Sequence, residues 1–321
     1  MDPLVTIVVV PRERFSQSIN SLENIYENTP PPFKLIYVDG NSPAHIKSCL
    51  EAKAKQKAFQ LIRTEHFLTS NQAHNMGLAH VTTRYVVFID NDIFVAPNWL
   101  EKLVQCAEET GAWVVGPLYL GGKLEDQIIH FAGGTLHFSE RNGQRALHCT
   151  CPLAGQKLSE VRQQLHCEPT EAIEFHCVLV RNESFKKLGL FDETMMSHSD
   201  HNDFSLLVRA GGGSVWFEPA SVLAYYYTAP LTWSDLPYFF WRWSDAFGKI
   251  STDSFRKKWN LPANDPYITG ISRYSRWHRR RAVSLWLPGQ PRGLLRKVRL
   301  AVAYLQEFIL NGFYKLIQSR Y

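Results

Sequence analysis

The chain has 321 residues, 45% of them hydrophobic and 20% charged, with a formal net charge of +5. That is enough to bury a sizeable core, as one large domain or two joined halves. Six cysteines without regular spacing do not suggest a disulfide framework, and no apolar run is long enough to span a bilayer. Met1-Asp2-Pro3 lacks the basic start of a signal peptide, so a reducing cytosol is the expected compartment. The charge is uneven. Residues 266–306 contain no acid but carry Arg273, Arg276, Arg279, Arg280, Arg281, Arg292, Arg296, Lys297 and Arg299.

In chain order, residues 4–10 read as a short buried strand and residues 16–27 as a helix stopped by the prolines at 30–32. A second strand over residues 33–38 ends in the loop Asp39-Gly40-Asn41-Ser42-Pro43. A helix over 46–57, a strand over 60–63 and a helix over 71–80 follow. Strands alternating with helices at this spacing predict a parallel or mostly parallel sheet. The first half is thus a nucleotide-binding type of α/β unit, without a GxGxxG or a P-loop.

Residues 85–95 are the centre of the pattern: β-branched and aromatic residues, with Asp90 and Asp92 near the end. Ligands of open α/β sheets collect beyond the carboxyl ends of the strands. Two acids there repel each other unless a cation joins them, and Mg²⁺ or Mn²⁺ carrying phosphate oxygens suits that need. The alternative is an Asp-Asn-Asp turn leading into the helix that starts near Pro97.

Four segments, Val10-Pro11, Asp39-Gly40-Asn41-Ser42, Ala73-His74-Asn75-Met76-Gly77 and Ile89-Asp90-Asn91-Asp92, come in the order and spacing of family-2 glycosyltransferases. Ile129-His130-Phe131-Ala132-Gly133-Gly134 resembles the IHxAGG segment of rhamnosyltransferase-like members. Residues 178–193, ending in Gly189-Leu190-Phe191-Asp192-Glu193, resemble the family stretch that ends in GxFDE. The resemblance covers roughly residues 4–225 and implies the GT-A fold and inverting transfer from a nucleotide-diphosphate sugar. It implies that Pro11 lines the base pocket and Asp39 reads the base. Asn71 and Asn75 contact the nucleoside or diphosphate, Asp90 reaches the ribose or a metal-bound water, and Asp92 holds the metal.

Three departures stand out. Arg12-Glu13-Arg14 replaces the usual Thr-Tyr-Asn, which makes Arg12 either a diphosphate contact or half of an ion pair. His74 replaces an arginine. Tyr225-Tyr226-Tyr227 stands where many members place a metal-binding or diphosphate-contacting histidine, and tyrosine is a poor neutral ligand.

In the second half, residues 121–170 hold His148, Cys149, Cys151, His166 and Cys167, at spacings that match no regular zinc pattern. Asp200 and Asp203 open a helix that ends at Gly211-Gly212-Gly213. By the resemblance one of them is the base that deprotonates the acceptor hydroxyl; the alternative is a plain helix start favoured by negative charge. The aromatic run over residues 233–259 packs as core or lines the acceptor cleft.

Beyond residue 266 the resemblance stops. Leu295, Val298, Val302, Leu305, Ile309 and Leu316 recur at three- and four-residue steps beside basic residues. This amphipathic helix has three candidate partners: the catalytic domain, a second subunit, or an anionic membrane.

The expected organisation is a GT-A domain over residues 1–265, divided into a donor half (1–110), an acceptor half (111–230) and an aromatic helical segment (231–265). A basic tail over 266–321 completes it. The expected activity is metal-dependent transfer of a hexosyl or deoxyhexosyl group from a nucleotide-diphosphate sugar to a hydroxyl of a glycan or lipid-linked acceptor. Nucleic acid is not an expected partner. A nucleotidyltransferase and a catalytically silent, membrane-associated scaffold are the alternatives.

Overall fold

A computed structural model describes residues 2–141, 143–287 and 294–318. Arg292 of the basic stretch lies outside them, and so does the side chain of Leu316.

The first half alternates β1 (Val5–Val10), α1 (Ser18–Glu27), β2 (Lys34–Gly40), α2 (Ala44–Lys57), β3 (Gln60–Thr64), α3 (Ser70–Leu78), β4 (Tyr85–Asp90), β5 (Ile93–Val95) and α4 (Trp99–Thr110). The second half runs β6 (Val114–Gly121), β7 (Ile129–Phe131), the hairpin β8 (Thr135–Arg141) and β9 (Gln144–Thr150), α5 (Leu158–Val161) and β10 (Glu168–Pro169). It continues with β11 (Cys177–Arg181), α6 (Phe185–Leu188), α7 (Asp200–Ala210) and β12 (Val215–Tyr225). The helices α8 (Leu236–Arg242), α9 (Asp245–Lys258), α10 (Pro266–Ile271), α11 (Tyr274–Ser284) and α12 (Leu294–Gln318) close the chain.

The main sheet has the order β10-β12-β6-β11-β4-β1-β2-β3. β1 and β4 are buried at every position because helices cover both faces. Their side chains alternate between two cores. Ile7, Val9, Val87 and Ile89 pack on one face, with Leu22, Leu50 and Leu103 from α1, α2 and α4. Val8, Val10, Val86 and Phe88 pack on the other, with Ala73 of α3 and Phe204 of α7. Gly77 lets α3 lie close to β1: a Cβ there would come within 2.3 Å of Val8 Cγ1.

The sheet is less uniformly parallel than the sequence suggests. β11 runs antiparallel between β4 and β6, with Cys177 opposite Ile89 and Leu179 opposite Val115. The single strand expected over residues 85–95 is also interrupted. Asn91 takes the backbone N–H of Arg12 at 2.9 Å and donates to Ser18 Oγ at 2.9 Å. Past this turn the chain leaves β4, and β5 pairs with β12 instead.

This topology brings several strand ends to one edge. Val10 pairs with Asp90, so residues 11–14 lie beside residues 91–92. The start of β11 joins them through Asp90 N–H to His176 O at 3.0 Å, and Tyr225 pairs with Ile93.

Residue 265, the expected boundary, lies in the turn between α9 and α10, and the helices on its two sides pack together. Imidazole Nε2 of His278 lies 2.8 Å from Glu13 Oε1 in the first loop. Buried Arg279 pairs with Glu307 at 2.7 Å and Asp245 at 2.8 Å. A buried arginine needs such partners, and they tie α9, α11 and α12 together. The basic stretch from 273 to 281 is therefore partly structural.

Candidate active site

Asp90, Asp92, Glu13, Asp200 and Glu174 surround Arg12, Arg14 and Arg242 at the carboxyl edge of the sheet. Arg12 Nε is 3.6 Å from Asp90 Oδ2, and Arg14 Nη1 is 3.8 Å from Asp92 Oδ2. Glu13 is fully buried but well satisfied: Arg14 donates at 3.0 Å and Tyr225 OH at 3.0 Å, with His278 on its other oxygen.

Asp90 and Asp92 are not satisfied in this way. Both oxygens of Asp92 and Oδ1 of Asp90 are buried with no hydrogen-bond partner among the described residues. Burial pushes each carboxyl up to about 8, with Glu13 adding to the effect on Asp92. An acid in that position stores unfavourable free energy that a bound cation relieves. Oxygen donors on adjacent acids suit Mg²⁺ or Mn²⁺.

Arg242 is the positive counterpart. It is 0% exposed, and none of its guanidinium nitrogens has a hydrogen-bond partner among the described residues. Its field lowers the carboxyls of both Asp90 and Asp200. Sequence reasoning missed it. The available signal was an arginine inside Phe239-Phe240-Trp241-Arg242-Trp243, a charge where the pattern calls for core.

A cavity of about 230 Å³ opens next to these groups. Arg12, His176, Glu174, Asp200, His201 and His130 line it, with Trp243, Tyr267 and Tyr274 as aromatic walls. Asp200 Oδ1 accepts from the His201 backbone at 3.1 Å and faces His201 Nδ1 at 3.2 Å. Its Oδ2 is buried and unpartnered among the described residues. Burial would raise this carboxyl, but the bonds to His201 and the fields of His201, Arg12 and Arg242 hold it well below the ordinary carboxylate range. Burial lowers His176 to about 3 and His130 to about 4, which keeps both imidazoles neutral.

The remaining sequence candidates have other surroundings. Asp203 accepts from Lys258 Nζ at 2.7 Å and Trp259 Nε1 at 2.8 Å, so both of its oxygens anchor the end of α9. Asp203→Ala therefore lowers stability by about 1–3 kcal/mol, measured by urea denaturation. The rate of transfer by the folded fraction changes little.

Both amide hydrogens of Asn75 go to Phe191 O at 3.0 Å and Glu193 Oε1 at 2.9 Å, and Asn71 donates to Asp192 O at 2.8 Å. They tie α3 to residues 191–193, which leaves Asn75 no hydrogen for a diphosphate. His74 is buried among Phe88, Phe175 and Phe191 and pushed down to about 3, so it is a neutral packing group.

Asp39 binds Ser42 N–H and Oγ, both at 2.9 Å, and Arg63. One lone pair of Oδ1 remains. Beside this loop lies a second cavity of about 470 Å³, lined by Asn41, Pro43, Arg63, Phe15 and Tyr238. Tyr238 OH donates to Leu68 O at 2.8 Å and reaches Pro11 O at 3.3 Å, so α8 covers the edge beside Pro11.

Among the described residues, the one group of three ligands close enough for a metal is Cys106, Cys167 and Glu218. His148, Cys149, Cys151 and His166 do not gather into such a group. Tyr225 stacks over His176 with ring centroids 4.0 Å apart.

Known proteins agree with this architecture. The crystal structure of GalNAc-T7 with UDP, GalNAc and Mn²⁺ superposes with a TM-score of 0.55 at 18% identity, over 87% of this chain and 54% of that one. The mannosyltransferase PcManGT from Pyrobaculum calidifontis, in complex with GDP-Man and Mn²⁺, gives 0.52 at 14% identity, over 98% and 85%. These likenesses show the fold, which is GT-A. By sequence, the pre-mycofactocin glycosyltransferase of Mycobacterium tuberculosis is 25% identical over 192 residues, 60% of this chain. The uncharacterized protein y4gI of Sinorhizobium fredii is 24% identical over 241 residues, 73% of this chain. The chain spans only 37% and 26% of the length of these two relatives. The family model for glycosyl transferase family 2 matches residues 7–188, a span that includes Arg12, Asp39, Asp90, Asp92 and Glu174, and the chain belongs to that family.

Proposed function

We propose that this protein is an inverting, divalent-cation-dependent glycosyltransferase. It moves a hexosyl or deoxyhexosyl group from a nucleoside-diphosphate donor to a hydroxyl of a glycan or lipid-linked acceptor. The observation that carries this reading is Asp92, whose two buried oxygens accept no hydrogen bond among the described residues, in a site where the guanidinium of Arg242, also without a hydrogen-bond partner among them, acts on neighbouring Asp90 and on Asp200. Carboxylate oxygens and guanidinium nitrogens left without hydrogen bonds in one buried site are both answered by a cation–diphosphate pair.

Asp92, with Asp90, would hold Mn²⁺ or Mg²⁺. The bound cation supplies charge that stabilises the diphosphate as the sugar departs. Arg12 and Arg242 bind diphosphate oxygens, and Asp39 and Pro11 face the nucleoside. Asp200 Oδ2 takes the proton of the acceptor hydroxyl. That hydroxyl becomes strongly acidic as its oxygen bonds to the anomeric carbon, so a carboxylate of low basicity suffices and its ionised state is what matters. His201 orients it. The aromatic walls present faces on which the acceptor sugar stacks. His130, in the IHxAGG segment, lies against His176 and Tyr225 in the same cavity. Asp92 is only 2% exposed, so donor entry moves α8 away from Pro11 and Leu68.

Arg242→Met follows from the same reading. Removing a charged hydrogen bond to the diphosphate in a dry site weakens donor binding by about 10- to 100-fold. The thermal stability of the ligand-free protein changes little, because methionine removes a buried guanidinium without hydrogen bonds but also withdraws its field from Asp90 and Asp200. Calorimetric titration and a melting curve check the two halves separately.

Turnover of UDP-, GDP- and dTDP-sugars with Mn²⁺, Mg²⁺ or EDTA tests the activity and names the donor. The reading predicts slow cation-dependent hydrolysis of one donor class. The absence of cation-dependent turnover and nucleotide binding across the panel contradicts it.

A further inference from the structure

α12 is buried along one stripe only. Ala303 and Glu307 are buried, and Leu310 and Tyr314 pack beside them against α8 and α11. The opposite stripe carries Leu294, Val298, Val302, Leu305, Phe308 and Ile309, which are 37% to 76% exposed. These positions follow the three- and four-residue steps of one helix face. The stripe from Leu294 to Ile309 covers about two thirds of this 25-residue helix, so the face is roughly 24 Å long. An apolar face of that length on a water-exposed helix calls for a partner.

Charge identifies the partner. Glu307 is the only acid between residues 266 and 318, and it is buried against Arg279 at 2.7 Å and Arg280 at 3.6 Å. The first turns of α12 carry exposed Arg296 and Lys297. A second copy docked here through a two-fold axis brings like charges together, with no exposed acid from this segment to answer them. An anionic lipid surface answers them with its headgroups and takes the apolar stripe into the acyl boundary. No helix of the described residues is long and apolar enough to cross a membrane, which leaves a helix lying in the surface.

We infer that α12 is an interfacial helix that docks this protein on anionic membranes, with the stripe from Leu294 to Ile309 facing the lipid. The inner stripe stays on α8 and α11, so docking requires no unfolding of the catalytic body.

The test is sedimentation of the full chain with phosphatidylcholine vesicles, with and without phosphatidylglycerol. Binding is expected only with the anionic lipid, and it weakens as salt is added. Leu305→Glu with Phe308→Glu lowers the partition coefficient by about tenfold or more, and so does Arg296→Glu with Lys297→Glu. These side chains are exposed, so circular dichroism and thermal midpoint should match the wild type. Failure of the wild type to bind the anionic vesicles overturns the inference. So does a lipid-free dimer, seen by light scattering, that Leu305→Glu with Phe308→Glu dissolves, because the face then belongs to a second copy.

Discussion

Asp92→Asn abolishes cation-dependent donor turnover and, in EDTA, makes the protein more stable at neutral and higher pH. Two opposite effects of one atom pair are expected because the carboxylate is placed for a ligand and not for the fold. In the cation-free protein, burial and Glu13 raise the Asp92 carboxyl to about 8. The folded state therefore holds a proton that the unfolded state releases near its ordinary carboxylate range. A folded-state value above the unfolded one means stability that is present at low pH and lost as pH rises from about 4 to about 8. The loss is on the order of a few kcal/mol, part of it shared with Asp90, which lies in the same raised range. Asparagine cannot ionise, so the variant keeps what the wild type loses. Catalysis moves the other way, because positive charge at the leaving diphosphate contributes several kcal/mol to the transition state. Melting curves in EDTA over that pH range check the first half, and initial rates with Mn²⁺ check the second. A variant that melts lower than the wild type at pH 8 would show that the carboxylate serves the fold.

Asp200→Asn lowers the rate of sugar transfer by about 10²- to 10⁴-fold, the range for loss of a positioned base. Cation-dependent nucleotide binding stays near wild type, since Asp200 lies in the adjoining cavity and not on the Asp92 side. The amide preserves size and can still face His201, so the loss is chemical. Rates at saturating donor, beside a titration with UDP or GDP, separate the two. A variant that transfers normally assigns the base elsewhere, and Glu174, half-buried in the same cavity, is the next carboxylate to replace.

Much of this fold is written in local patterns. The runs of residues 5–10 and 85–90, apolar on both faces, require a covered sheet, and the break after Asp39 marks its carboxyl edge. The antiparallel insertion of β11 was not legible, because an apolar pentapeptide carries no direction. The turn at Asn91 was legible only as the Asp-Asn-Asp alternative: the apolar pattern continues past it, and its bonds to Arg12 and Ser18 show that the strand has ended. Within the site, residues at strand ends were readable, since position along a strand fixes the edge they reach. Asp90, Asp92, Arg12 and Asp200 do come together. The ligand-binding or catalytic roles of Asn71, Asn75 and Asp203 are implied by the family resemblance alone, and their hydrogen-bond partners at residues 191–193 and 258–259 are distant in the chain. Arg242 and Glu13 were passed over for the converse reason. Each looks unremarkable locally, and its meaning comes from burial beside residues more than a hundred positions away.

The claim that tests this account most directly is that the Asp90 and Asp92 carboxylates await a cation, and Arg242, whose charge acts on Asp90, awaits the diphosphate it carries. Calorimetric titration of UDP and GDP into the wild type, with Mn²⁺ and then with EDTA, measures it. The account predicts saturable binding of one nucleotide that requires Mn²⁺ and disappears in Asp92→Asn. Binding of equal strength in EDTA, or binding that survives Asp92→Asn, would contradict it.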